Sequence, residues 1–335
     1  MPDTQVFFSI IIPTRNRPDL FLSALDSVKA QAFENKEIIV VNDGSTGPDL
    51  DRYKEIEAAH PDVKWHYLPH RPNGHGQSYS MNVGADLAAG AYVGFLDDDD
   101  AWTDAGHLGR AHAHISEYGH EVDLYYTQQK AYFPGDRLNT QPGWLADLIP
   151  LAPNTQAPFK DAYVVDADFL LQSQGFAHLN CSIFRKTFYT RINGMDEGIR
   201  YECDRDIFIR AIDAARHILF SPAYVSKHHI PDPDAGGNMS TMVSFYQKKL
   251  FQLTVFNKGM LLCERPAVRK ACRKGRGYIL KYLAEHLHRH GRTGTALTCA
   301  VQAMAALPTV KWGLFTLVLL FKHLAAPAKK QQDLK

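Results

Sequence analysis

The first 130 residues alternate between unbroken apolar runs and stretches whose apolar positions recur with helical spacing. "VFFSIIIP", "EIIVVND", "VKWHYLP", "AYVGFLD" and "VDLYYTQ" read as strands. Between them, "RPDLFLSALDSVKAQA", "GPDLDRYKEIEAAH" and "SYSMNVGADLAAG" read as helices. Pro18 falls where a first helical turn tolerates it, and Gly90 closes the third helix. Strands that are apolar along their whole length and joined by helices predict a parallel sheet covered on both faces. Ligands of such sheets bind beyond the carboxyl ends of the strands. Three polar clusters fall at those ends: "TRNRP", "NDGST" and "DDDD".

The pattern then changes. Residues 131–166 are rich in Pro, Gly and Asn and read as a long loop or lid on the acceptor side. Regular patterning resumes at "NCSIFRK"; "CDRDIFIRAIDAA" has helical spacing, and "HILFSPAYVSKHH" suggests a pair of strands. From about residue 241 the pattern is helical to the end, with a helical hairpin turning at Gly291–Gly294. The expected division is an α/β domain over residues 1–240 and a helical region over 241–335. Within the latter, "WGLFTLVLLF", Trp312 to Phe321, is too short to span a bilayer and is flanked by Lys311 and Lys322. It reads either as a buried terminal helix or as an interfacial membrane attachment.

Composition narrows the class. Apolar residues make up 45% of the 335, enough for a substantial core. Lys and Arg number 37 against 36 Asp and Glu, a balance that argues against broad nucleic-acid binding. The five cysteines are scattered without a CxxC pair, so neither a disulfide framework nor a zinc ribbon is expected, and a reduced cytoplasmic setting fits. The N-terminal stretch lacks the basic start and cleavage site of a signal peptide.

The candidate chemistry lies in the polar clusters. Four consecutive aspartates, Asp97 to Asp100, repel one another by about 1 kcal/mol per neighbouring pair in water and about 4 at a surface-like dielectric. Asp99 or Asp100 as N-cap of a helix starting near Ala101 explains one of them. A divalent cation, magnesium or manganese, explains more, because hard cations prefer oxygen ligands. Asp43 leaves a buried strand into a Gly-Ser turn, placed either to accept hydrogen bonds from a base or ribose or to cap the turn. "YECDRDIFIRA" offers Glu202, Asp204 and Asp206, with Asp204 at the N-terminal end of a helix. His228 and His229 alternate faces, so only one of them points at a site. In "RPNGHGQS", Gly74 and Gly76 mark a close backbone approach or a plain surface turn.

Taken together, "FSIIIPTRNRPDLFLSALDSVKAQ", "EIIVVNDGST", "NVGADLAAGAYVGFLDDDDAW" and "SIFRKTFYTRINGMDEGIRYECDRDIFIRA" resemble glycosyltransferase family 2. These are inverting enzymes of GT-A fold that use nucleotide-sugar donors. The resemblance implies a Rossmann-like, doubly wound mixed sheet followed by the helical region. It implies that Thr14, Asn16 and Asp43 hold the nucleoside, Asp43 through the base, and that Pro13, Arg15, Gly76, Asp97 and Asp98 complete the donor site. Arg15 and Arg17 then sit near phosphate. Asp97 and Asp99 fill the DxD positions, with Asp99 as metal ligand and Asp97 nearer the ribose or also on the metal. His229, or His228, is the third ligand of a Mn2+ or Mg2+ ion, with Ser240 further downstream. Asp204 is the expected general base; Cys203 stands where the family often has Glu, which keeps Glu202 and Asp206 as alternatives. The implied reaction moves a sugar, most simply from a UDP-sugar, to a glycan or lipid-linked acceptor in surface polysaccharide or lipopolysaccharide assembly. It would run in the cytoplasm, with peripheral membrane contact through the C-terminal helices. Two rival readings are a metal-dependent sugar nucleotidyltransferase and a non-catalytic nucleotide-sugar-binding partner of an assembly complex.

Overall fold

A computed structural model describes residues 6–230 and 243–325. The chain divides into two compact units, Met1–Val243 and Ser244–Lys335.

The first unit is an α/β fold. In chain order it contains β1 (Phe8–Thr14), α1 (Pro18–Lys29), β2 (Lys36–Asn42), α2 (Gly47–Ala59), β3 (Lys64–Tyr67), α3 (Gln77–Leu87), β4 (Tyr92–Phe95) and β5 (Ala101–Trp102). It continues with α4 (His107–Glu117), β6 (Leu124–Phe133), β7 (Arg137–Leu138), β8 (Tyr163–Val165), α5 (Ala167–Leu170), β9 (Ser182–Arg185), α6 (Lys186–Arg191), α7 (Cys203–Ala214) and β10 (Ile218–His229). The main sheet runs β3-β2-β1-β4-β9-β6-β10-β5, with β7 on β6 and β8 on β10. β3, β2, β1 and β4 are parallel; the apolar, buried runs of β1, β2 and β4 fit that, while β3 at the edge is only half-buried. β9 inserts antiparallel between β4 and β6, so the sheet is mixed.

Both faces of β1 are fully buried. One side meets Phe21 and Leu25 of α1 and Tyr53 of α2, together with Val40 of β2. Each such side chain contributes about 1.5–3 kcal/mol by leaving water. β1 has β2 on one side and β4 on the other, so strand order reverses there. The carboxyl ends of β1 and β4 therefore open on the same crevice, where open α/β sheets place ligands.

Four local expectations change. The chain after the aspartates does not enter a helix near Ala101: it forms β5, which pairs antiparallel with Ser226 and Lys227, and α4 starts only at His107. "HILFSPAYVSKHH" is one strand, not two; Pro222, which has no N–H to give, lies at register shifts between Phe220 and Ser226. Residues 131–166 are not all loop, because β6 runs on to Phe133 and turns back through β7, and β8 closes the segment against β10. The helix expected to close at Gly90 ends at Leu87; Gly90 instead lets the backbone pass Ser9, whose Oγ would lie 2.6 Å from an added Cβ.

The second unit contains α8 (Phe245–Leu262), α9 (Pro266–Arg289), α10 (Thr293–Ala306) and α11 (Val310–Ala325). Ser244 starts α8 with a capping box: its Oγ accepts from the Gln247 N–H, and Gln247 Oε1 accepts from the Ser244 N–H at 3.0 Å. The hairpin between α9 and α10 turns at Gly291, whose φ of +74° suits glycine. Leu283, Ala284 and Leu287 pack on Ala296, Ala300 and Leu319. No helix among the described residues is long and apolar enough to cross a membrane.

Candidate active site

The site is built on the turn that follows β4. Asp100 donates its N–H to the Asp97 carbonyl at 3.1 Å, closing a tight turn that points the four carboxylates in different directions. Asp98 points inward and is buried, accepting from Thr14 Oγ1 at 2.7 Å and pairing with Arg17. Arg17 also donates from Nη1 to Asp99 at 2.9 Å, so one guanidinium straddles two carboxylates. Asp97 accepts from Gln77 Nε2 at 2.5 Å. Asp100 is buried and accepts from Asn180 Nδ2 at 2.5 Å and the His229 N–H at 2.7 Å, and its Oδ2 lies 2.7 Å from His228 Nδ1. Asp100 thus ties β4 to β10; neither it nor Asp99 caps a helix.

Carboxylate oxygens of Asp97, Asp99 and Asp100 lie within 4.8 Å of one another, a spacing a cation can bridge. Asp100, His178 and His228 form a second such group. Of the two downstream histidines, His228 belongs to this group, while His229 Nδ1 lies 3.7 Å from Asp100 Oδ1. The His229 ring, expected as the ligand, lies with Nδ1 2.5 Å from the backbone carbonyl of Asp99. Ser240 lies outside the described residues. Burial, reinforced by Asp100, Asp204, Asp99 and Asp98, pushes the Asp97 carboxyl well above the usual carboxylate range. Burial raises Asp98 to about 7 against the opposing pull of Arg17.

Asp204 sits in the first turn of α7. Its buried Oδ1 has no hydrogen-bond partner. Burial, then the neighbouring Glu202, raises its carboxyl to about 7. The two alternatives are engaged elsewhere. Glu202 pairs with Arg205 and has a left-handed backbone, φ +67°. Asp206 is buried against Arg210, 2.8 Å from Nη2 and 2.9 Å from Nε.

His178 lies between the two groups of acids. Its Nε2 is 3.6 Å from Asp204 Oδ2 and 3.8 Å from Asp97 Oδ2. Burial, with His228 nearby, pulls its pKa down to about 3, so the ring is neutral. Nδ1 accepts the Asn180 N–H at 3.3 Å, which puts the ring proton on Nε2, facing the carboxylates. For His228, burial acts to lower the pKa, but the hydrogen bond to Asp100 and that residue's charge outweigh it and raise it.

Residues 9–189 match the model of glycosyl transferase family 2. The chain belongs to glycosyltransferase family 2. A PGL/p-HBAD biosynthesis glycosyltransferase of Mycobacterium bovis is 38% identical over 119 residues, 36% of this chain and 45% of that protein. An uncharacterized glycosyltransferase of Escherichia coli, YibD, is 38% identical over 92 residues, 28% of this chain and 26% of its own. The chain thus aligns with less than half of these relatives. Among solved structures, S. aureus TarS 1–349 in complex with UDP-GlcNAc matches with a TM-score of 0.62 at 19% identity, over 90% of this chain and 82% of its own. A mannosyltransferase of Pyrobaculum calidifontis, in complex with GDP-Man and Mn2+, matches at TM-score 0.57 and 16% identity over 97% and 83%. These likenesses establish the fold.

In this family member the side expected to face the nucleoside is already knitted together. Asp43 accepts from the backbone N–H groups of His75 and Gly76 at 2.8 and 2.9 Å. Arg15 donates to the carbonyls of Arg71 and Pro72, at 2.7 and 3.1 Å. A Cβ at Gly74 would overlap the Arg15 guanidinium and the Asp43 carboxylate, which is why a glycine with φ +62° stands there. The Thr14 hydroxyl is shared between Asp98 and Tyr53, and the Asn16 N–H goes to Ser45 Oγ at 3.0 Å. Pro13 is buried in β1 beside Val41. Gly76, with φ +105°, leads into α3. Thr14 and Pro13 thus shape the site through the backbone and through Asp98.

His178, Asn180 and Gln77 carried no signal in the sequence. The segment holding His178 and Asn180 leads into "NCSIFRK", which shows only a return of regular patterning. Only the antiparallel insertion of β9 brings it to the carboxyl end of β4, where Asn180 also accepts the Asp97 N–H at 3.0 Å.

Proposed function

We propose that the chain is a metal-dependent, inverting glycosyltransferase that moves a hexosyl group from a UDP-sugar to a hydroxyl of a glycan or lipid-linked acceptor. The observation that carries this reading is the unpartnered, buried Asp204 Oδ1, on a carboxyl close enough to the cluster for its charge to act on Asp97 and that of Asp100 to act on it. The carboxylates fit a hard divalent cation, since their crowding and burial raise Asp97 in the absence of one. Asp97, Asp99 and Asp100 are the residues that would hold Mn2+ or Mg2+, with His228 beside Asp100. The ion would neutralise negative charge on the departing nucleoside diphosphate.

The remaining roles fall to the protein's own groups. Asp204 takes the proton of the acceptor hydroxyl as its oxygen bonds to the anomeric carbon and the bond to the diphosphate breaks. A carboxyl raised to about 7 is matched to that task near neutral pH. His178 places a neutral imidazole 3.6 Å from Asp204 Oδ2, and Oδ1 is left to act. Asp43 accepts the His75 and Gly76 N–H groups, one on each oxygen, and retains lone pairs for a donor on the nucleobase. Arg15 and Arg17 place positive charge beside the diphosphate. The UDP-GlcNAc complex of TarS and the Mn2+ complex of the mannosyltransferase support this choice of donor and ion. The 131–166 segment is placed on the acceptor side, and the α/β domain is taken to end at about residue 240. The five cysteines, all free thiols, support a reduced cytoplasmic setting.

Replacing Asp204 with Asn is expected to cut transfer by about 10²–10⁴-fold, the usual worth of a positioned general base. UDP binding should persist in D204N. Transfer at the wild-type rate would exclude Asp204 as the base.

A further inference from the structure

The balanced charge of the whole chain conceals a division. Residues 244–335 carry 17 Lys and Arg and three Asp and Glu, whereas residues 1–243 carry 20 and 33. The helical unit is strongly basic and its partner unit strongly acidic.

The basic unit also exposes apolar side chains in an ordered way. On α11, Trp312, Phe315 and Leu319 turn inward to the core of the unit. On the opposite side Val310, Leu314, Leu317, Phe321 and Leu324 recur at helical spacing and are exposed, Val310 by 84%, Phe321 by 68% and Leu324 by 71%. One face of "WGLFTLVLLF" is therefore core, and the other has no partner within the described residues. Leu261 and Leu262, at the end of α8, are likewise exposed.

A cavity of about 400 Å³ lies where α9 meets the start of α11, lined by Tyr278, Lys281, Tyr282, Glu285, Thr309 and Trp312. Lys281 is 7% exposed, and its ammonium lies 5.3 Å from the centre of the Trp312 ring. No carboxylate pairs with it among the described residues; Glu285, also in the wall, lies 3.5 Å from Arg289. Burial holds Lys281 below the usual lysine range, a desolvation cost that an incoming anion would offset. The exposed stripe of α11 begins at Val310, between the cavity residues Thr309 and Trp312.

We infer that the helical unit docks on an anionic lipid bilayer, with the outer stripe of α11 in the interface and lipid phosphate meeting Lys281 and the surrounding basic surface. Charge alone would suit a nucleic acid equally well. The contiguous apolar stripe is what a bilayer uses and a polyanion in water does not. This docking is independent of which sugar the other unit transfers.

The test is co-sedimentation of the full chain with vesicles of phosphatidylglycerol and phosphatidylcholine, against pure phosphatidylcholine. Binding is expected only to the anionic vesicles, weakening as salt is raised. The exposed-stripe variant L314S/L317S/F321S, which removes no core contact, should bind them at least about tenfold more weakly. Lys281→Gln should weaken binding less. Three results would overturn the inference: no binding to anionic vesicles, equal binding to both vesicle types, or unchanged binding by the stripe variant. So would a vesicle-free dimer that the stripe variant dissociates, because a second copy would then be the occupant.

Discussion

The two units of this chain handle charge in opposite ways. In the α/β unit, negative charge is concentrated at one turn and satisfied inside the protein, with Asp98 on Thr14 and Arg17 and Asp100 on Asn180 and His228. In the helical unit, positive charge is spread over the surface and accompanied by an exposed apolar stripe. Internal pairing builds a site for a small, highly charged ligand. Spread charge beside exposed apolar area builds a surface for a large one. A single net charge of +1 describes neither.

The largest expected effect that sharpens this contrast is on stability. Arg17→Ala leaves the buried Asp98 and the adjacent Asp99 without their shared cation, and should destabilise the α/β unit by about 3 kcal/mol in urea denaturation. Lys311→Ala, in the exposed charge of the helical unit, should change stability by no more than about 0.5 kcal/mol. Equal costs would mean that the acidic turn is not held as described.

A smaller effect concerns pH. Asp98 and Asp204 are raised to about 7 in the folded metal-free protein, and Asp97 is also raised. Between about pH 8 and the unfolded carboxylate range near pH 4 the native state therefore holds more protons on these groups, which makes stability rise as pH falls. His228, raised by Asp100, acts in the same direction. His178 and His107, pulled down to about 3 by burial, act oppositely once pH drops below the unfolded histidine value of about 6.5. The melting temperature of the metal-free protein should climb from about pH 8 to about pH 6.5 and then level or decline. The climb should shrink in Asp204→Asn. A melting temperature that falls steadily from pH 8 would contradict the assigned shifts.

Much of the α/β unit was legible in its sequence, for physical reasons. Strands buried on both faces must be apolar throughout, so β1, β2 and β4 stood out, and the polar residues after them marked the crevice. Asp204 was singled out by the family resemblance, because carboxylates in a first helical turn are common and do not mark a site by themselves. Asp100 was misjudged as a cap because local pattern cannot show that a strand 128 residues later will supply its partners. His178 and Asn180 were invisible for the same reason: an antiparallel strand inserted from far along the chain leaves no periodic trace. Pro222 made one bulged strand look like two. The opposed charges of the two units were present in the sequence, but summing over the chain cancelled them.

The most direct test of the acidic turn as a metal-linked donor site is a melting-temperature titration with UDP, with and without Mn2+. Because only the native state binds, the shift reports affinity. UDP is expected to stabilise the wild type markedly when Mn2+ is present and little when it is absent. Asp99→Asn should melt near the wild-type temperature without ligand and lose the Mn2+-dependent gain. A UDP shift that is the same with and without Mn2+, or that survives in Asp99→Asn, would contradict the assignment of these aspartates to the metal and the diphosphate.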